Sequence, residues 1–174
     1  LDPVMFTNSQ IEDTSFPRFE EVTFTDLPGK YLKVVVLDVA LILLIPTVGL
    51  LAVNYFVDDF RPYFLTVFLI WIAIAVYAMI ISIIGFYREG YAFREHDVLY
   101  RTGVFAHIVR VIPFNRIQHV ALHEGPISRF FGYARIKIYT AGAGAGDISI
   151  PGIPKETAQQ IKQLLSGKIQ TELE

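Results

Sequence analysis

VVVLDVALILLIPTVGLLAVNYFV (34–57) and YFLTVFLIWIAIAVYAMIISIIGF (63–86) flank the polar break DDFRP (58–62), and the reading of this stretch decides the fold. Each run has 24 residues; the first carries one charged side chain, Asp38, and the second carries none. A helix rises ~1.5 Å per residue, so each run spans roughly 36 Å, against a bilayer hydrocarbon core of about 30 Å. Core helices of soluble proteins rarely stay uncharged over such a length, so the pattern predicts two membrane-spanning helices. The break is too short to cross back, which predicts a tight antiparallel hairpin.

Charge at the ends of the two runs sets the expected orientation. Lys30 and Lys33 precede the first, Arg88 and Arg94 follow the second, and the break holds one Arg and two Asp. The positive-inside rule then places both termini in the cytoplasm. Tyr31 and Tyr87 stand where interfacial aromatics are expected, and Tyr55, Phe56, Phe60, Tyr63 and Phe64 cluster at the other face. Asp38 has two readings. It is an intramembrane contact or ion site, or it lies in the first helical turn near the interface, where the helix dipole favours an anion. The second reading is preferred. Pro46 and Gly49 are expected to kink the first helix or admit a close neighbour.

Outside the hairpin the chain changes character. It has 174 residues, 53% of them hydrophobic, with mean hydropathy +0.45 and no cysteine. Disulfides, thiolate metal sites and a cysteine nucleophile are thereby excluded. Residues 1–26 hold six acids and one base, and residues 87–174 hold eleven bases and eight acids. The acidic opening does not have the pattern of a secretory leader. The expected organisation is an acidic segment at 1–26, the hairpin at 27–87, a cytoplasmic domain at 88–169 and a tail at 170–174.

Within 88–169 short β-branched and aromatic runs recur between Gly, Pro and charged pairs. Strands are expected near 91–94, 98–101, 104–112, 117–123, 128–131, 135–139 and 147–150. Gly103 and Gly132 fit turns. A final amphipathic helix is expected to start at Pro154, to bury Ala158, Ile161, Leu164 and Leu165, and to end at Gly167. The fold class is α+β: a two-helix transmembrane hairpin followed by an antiparallel sheet or barrel closed by a C-terminal helix.

Four motifs then carry a resemblance: YRTGVF (100–105), IPFNRIQHV (112–120), GPISRFFGYA (125–134) and IYTAG (138–142). In this order, after a hydrophobic hairpin, the chain resembles the YdbS-like bacterial pleckstrin-homology (PH) membrane proteins over about residues 63–165. The resemblance implies a PH-like antiparallel β-barrel of seven strands capped by a C-terminal α-helix. It implies the bacterial cytoplasmic (inner) membrane, and work beside a related membrane protein with tandem copies of the domain. It implies no enzyme activity. Residues 1–26 lie outside it.

Candidate chemistry is sparse. AGAGAGD (141–147) has glycines spaced G-x-G-x-G and is followed by a strand-like run. A dinucleotide loop needs G-x-G-x-x-G and a helix after it, so a hairpin loop is expected. His119 and His123 are four apart, but on a strand that is about 13 Å, too far to share a metal. No catalytic constellation, metal site or cofactor motif is expected. Net +3 over the last 88 residues argues against nucleic acid. Candidate partner- or lipid-binding residues are Arg88, Arg94, Arg101, Asn115, Arg116, Gln118 and Arg129. Arg116, Gln118 and Arg129 alternatively fix loops through hydrogen bonds. The acidic segment, with Phe6, Phe16, Phe19 and Phe24, is expected to meet protein rather than anionic membrane, with 20–25 able to add a strand to a sheet edge.

The sequence therefore reads as a non-enzymatic, membrane-anchored PH-like interaction module and subunit of a larger membrane assembly. Its partners are other membrane proteins, a tandem PH-domain relative among them, or further copies of itself. The alternative is a sensor that binds anionic lipid through a basic face of Arg88, Arg94, Arg101, Arg110, Arg116, Arg129, Arg135 and Lys137. A transport or pore component using Asp38 ranks last.

Overall fold

The computed structural model describes residues 22–141 and 146–171. Most of the acidic segment, the middle of the glycine loop and the last three residues lie outside the described residues.

The chain enters through β1 (Thr25–Asp26), a 3-10 turn (Gly29–Tyr31), and then α1 (Leu32–Phe56) and α2 (Arg61–Arg88). Both helices are long and apolar enough to cross a membrane, and almost none of either is buried. They pack on each other along a shared seam, where the Trp71 indole N–H donates to the Thr47 hydroxyl at 2.9 Å. Thr47 in turn donates to the Leu43 carbonyl at 2.7 Å, one turn below, beside Pro46. Among the described residues, a Cβ built at Gly49 would touch nothing within 4 Å outside its own helix backbone and chain neighbours.

Two antiparallel sheets follow. The first has the order β1-β2-β3-β4, with β2 (Gly90–Phe93), β3 (Asp97–Thr102) and β4 (Ile108–Pro113). The second has the order β5-β6-β7, with β5 (Ile117–His123), β6 (Tyr133–Thr140) and β7 (Ile148–Pro154). A short helix, α3 (Pro126–Phe130), links β5 to β6, and α4 (Lys155–Thr171) closes the domain. The expected barrel is corrected here: the sheets do not close on each other. A 3-10 turn at Phe114–Arg116 ends β4 and carries the chain into the second sheet, and no ladder joins the two among the described residues. Tyr31, just ahead of α1, packs between the second sheet and α2. Its ring lies 5.3 Å edge-on to Tyr133 of β6 and 6.5 Å from Phe86 of α2.

Sequence pattern and structure agree on β2, β3, β5 and β6 to within a residue or two at the ends. They differ at four places, one of them β7, expected at 147–150 and running Ile148–Pro154. The expected strand at 128–131 is α3, because Pro126 suits a first helical position and Gly132 ends the turn with φ +74°. The expected strand at 104–112 begins only at Ile108, since Gly103 (φ +116°) turns the chain. The first strand comes from before the hairpin: Thr25 and Asp26 pair with Tyr91 and Gly90, so the tail end of the acidic segment adds a strand in cis.

One buried cluster fills the space between the sheets and beneath α4. It includes Val98, Tyr100, Ile112, Phe114, Ile136, Ile138, Ile148, Ile150, Ile153, Ala158 and Leu165. Tyr31 and Val34 of the α1 end and Phe86 of the α2 end belong to the same cluster. The helix stripe is narrower than the sequence suggests: Ala158 and Leu165 are fully buried, Ile161 is half-buried and Leu164 is exposed. Pro154 closes β7, the helix begins at Lys155, and Gly167 lies within it rather than at its end.

Candidate functional site

The basic residues singled out in the sequence do not form one face. Arg88, in the last turn of α2, donates to the Val104 carbonyl at 2.5 Å and pins the β3–β4 loop to the helix end. Arg94 is forked onto the Asp97 carboxylate, with Nε to Oδ1 at 2.6 Å and Nη2 on Oδ2. Arg101 pairs with Asp26 at 2.8 Å and lies 4.9 Å over the Phe24 ring. These three guanidinium groups hold the domain together and fasten β1 to its sheet.

Asn115, Arg116 and Gln118 are exposed at the far end of the second sheet. Ile117 pairs with Thr140, whereas His123 pairs with Arg135 beside α3. Strands advance ~3.3 Å per residue, so Arg116 stands roughly 20 Å from the helix-proximal end. The Arg116 carbonyl accepts from the Ala141 N–H at 3.0 Å, which anchors the turn. Arg129 is exposed on α3, beside α1, and so does not join Arg116 and Gln118. His119 stacks on Tyr139 at 4.1 Å.

The structure instead brings together residues that the sequence separates. A polar cavity of about 550 Å³ lies between α1, the start of α3 and the second sheet. Asp38 lines it from α1, Arg135 and Lys137 from β6, Ser149 from β7, His123 and Glu124 from the end of β5 and the turn after it, and Ser128 from α3. Glu124 is paired with Lys155 at 3.0 Å, and the Lys137 ammonium lies 4.6 Å over the Tyr139 ring. Beside this cavity an apolar groove of about 640 Å³ runs between Leu37, Ala40, Leu41 and Leu44 of α1 and Pro126, Ile127, Phe130 and Phe131. Phe130 is 86% exposed. Arg135 and Lys137 alternate with buried Ile136 and Ile138, the signal of a half-exposed strand, and nothing in that pattern says that α1 faces them.

At the base of α2, burial pushes the Glu89 carboxyl above the usual carboxylate range, opposed by the Tyr100 hydroxyl that donates to it and by the Arg135 charge. Burial, and then the Glu89 charge, raises the Tyr100 phenol well above its ordinary value. The folded protein thus binds the Glu89 proton more tightly than the unfolded chain does. The penalty for the charged form is absent below the ordinary carboxyl pKa and complete above the raised one. Glu89→Gln keeps an acceptor for Tyr100 without the charge. Relative to the wild type, its melting midpoint should rise as the pH climbs above the ordinary carboxyl pKa. A difference that stays flat with pH contradicts this account.

Two sheets, a C-terminal helix and an apolar helix pair define a membrane-mounted PH-like protein. The Bacterial PH domain family matches residues 31–169, both helices included, and the chain belongs to that family. It is also 32% identical over 76 residues to the UPF0699 transmembrane protein YdbS of Bacillus subtilis (strain 168). That alignment covers 44% of this chain and 46% of the relative, so the chain matches about half of the relative's length. No solved structure matches. The protein is accordingly a bacterial membrane protein with a PH domain.

Proposed function

We propose that the chain is a non-enzymatic, multi-pass module of the bacterial cytoplasmic membrane, with both termini in the cytoplasm. In this reading it holds its PH-like domain in a fixed pose on the inner face and presents it to other membrane proteins as a subunit of a larger assembly. One observation carries the proposal: Tyr31, Val34 and Phe86 are helix-end residues buried in the domain core. A domain on a flexible tether would not share its core with its anchor. The exposed flanks of both helices supply the surface on which a neighbouring span would pack, since helices in lipid associate through close packing.

The chain has no cysteine, so single cysteines report orientation cleanly. An Asp59→Cys variant should react with an impermeant maleimide in intact spheroplasts, and Gln163→Cys only after lysis. The reverse pattern overturns the orientation. For the assembly, the mass of the full chain extracted in mild detergent should exceed that of one chain plus its detergent. A lone monomer under every gentle condition contradicts the assembly.

A further inference from the structure

The polar cavity and the apolar groove adjoin at α1 and α3, and the two together are taken as one cleft. Leu37 and Asp38 are consecutive on α1, yet the first lines the groove and the second the cavity. Ile127 and Ser128 divide in the same way on α3. Along α1 the groove extends from Leu37 to Leu44, roughly 10 Å parallel to the helix axis. A helix that crosses the bilayer therefore gives this cleft a chain-shaped apolar end in the lipid and a charged end at the surface. That polarity profile is the one a single phospholipid presents.

The charges narrow the class. Arg135 and Lys137 are two apart on β6 and so project to the same side of the sheet. Arg135 and the Ser128 hydroxyl each also bond the Tyr31 hydroxyl, and with their remaining donors and Lys137 they form a set suited to a phosphate, which takes charge-assisted hydrogen bonds most strongly. Across the cavity stands Asp38, which makes no ion pair among the described residues, while Glu124 is already occupied by Lys155. A headgroup with a phosphate alone would leave this carboxylate facing like charge. A headgroup with an ammonium beyond the phosphate satisfies both walls.

We propose that the cleft holds one amine-headed glycerophospholipid of the ethanolamine class, with phosphate on Arg135 and Lys137, ammonium on Asp38, and an acyl chain along Leu37, Leu41 and Leu44. This goes beyond an interaction module. It makes a bilayer lipid a component of the joint between the domain and α1.

The test uses the full chain in mild detergent, delipidated and then titrated with phosphatidylethanolamine or phosphatidylglycerol, with native mass spectrometry as readout. The wild type should retain one phosphatidylethanolamine per chain at collision energies that strip other lipid. Replacing both cations (Arg135→Gln with Lys137→Gln) should lower its occupancy by about tenfold. Asp38→Asn should remove the preference over phosphatidylglycerol, and Ala40→Trp should block retention with all charges in place. The soluble headgroup glycerophosphoethanolamine should not be retained. Melting midpoints close to that of the wild type would show that each variant is folded. Equal retention of both lipids by the wild type, or retention unchanged in the variants, would overturn the proposal.

Discussion

Gly152→Ala should cost the domain about 2–5 kcal/mol and loosen its seat on the hairpin. Gly152 has φ +71°, a conformation that L side chains rarely adopt. A Cβ there would stand 2.6 Å from Cδ1 and 2.8 Å from Cγ of Tyr31. The ring cannot yield, because Tyr133 and Phe86 hold its other sides. Backbone strain and overpacking therefore add. Denaturant unfolding of the detergent-solubilised chain measures the loss. Tyr31→Ala removes the obstacle, so the double variant should lose less than the two single losses summed. Simple additivity would place the Gly152 effect in the backbone alone.

Phe114→Ala should be the most damaging change within the IPFNRIQHV motif, at about 3–5 kcal/mol. Phe114 is 2% exposed and sits in the turn that carries the chain from one sheet to the other. Its N–H donates to the His96 carbonyl at 2.9 Å, tying that turn to the β2–β3 connection. By contrast, Arg116→Ala and Gln118→Ala remove exposed side chains and should change stability by no more than about 0.5 kcal/mol. The same unfolding measurement ranks the three. A loss at Arg116 as large as that at Phe114 would mean that the turn is held by its polar groups rather than by its ring.

These contrasts show what the sequence carries and what it does not. The helices were legible because an uncharged run long enough to cross a bilayer is rare in a soluble core. β6 was legible because Arg135–Tyr139 alternates with the period of a strand. The segment 128–131 misleads because Phe130 and Phe131 stand side by side as in an aromatic strand run; Gly125-Pro126 before it and Gly132 after it were the available signs of a helical turn. Gly152 is silent in the sequence, since its constraint comes from Tyr31, more than a hundred residues earlier. The barrel expectation fails at the 3-10 turn Phe114–Arg116, which carries the chain from one sheet to the other with no ladder between them among the described residues.

The candidate site was the least legible feature. Arg116, Gln118 and Arg129 were candidates for one partner- or lipid-binding set, but the β5–β6 ladder separates the first two from the third. Asp38 looked isolated in an apolar run, and the domain folds back to place Arg135 and Lys137 across a cavity from it. Such a site depends on where two elements dock, and docking is set by Tyr31, Val34 and Phe86 together.

That docking is the central claim, and one distance measures it. Spin labels on Tyr55→Cys, at the far end of α1, and Gln163→Cys, on α4, occupy exposed positions in a chain otherwise free of cysteine. Double electron–electron resonance on this pair in bilayer nanodiscs should give a single narrow distance distribution. Adding Gly152→Ala should broaden it. A broad or multimodal distribution in the otherwise wild-type chain would contradict a domain whose core is shared with its anchor.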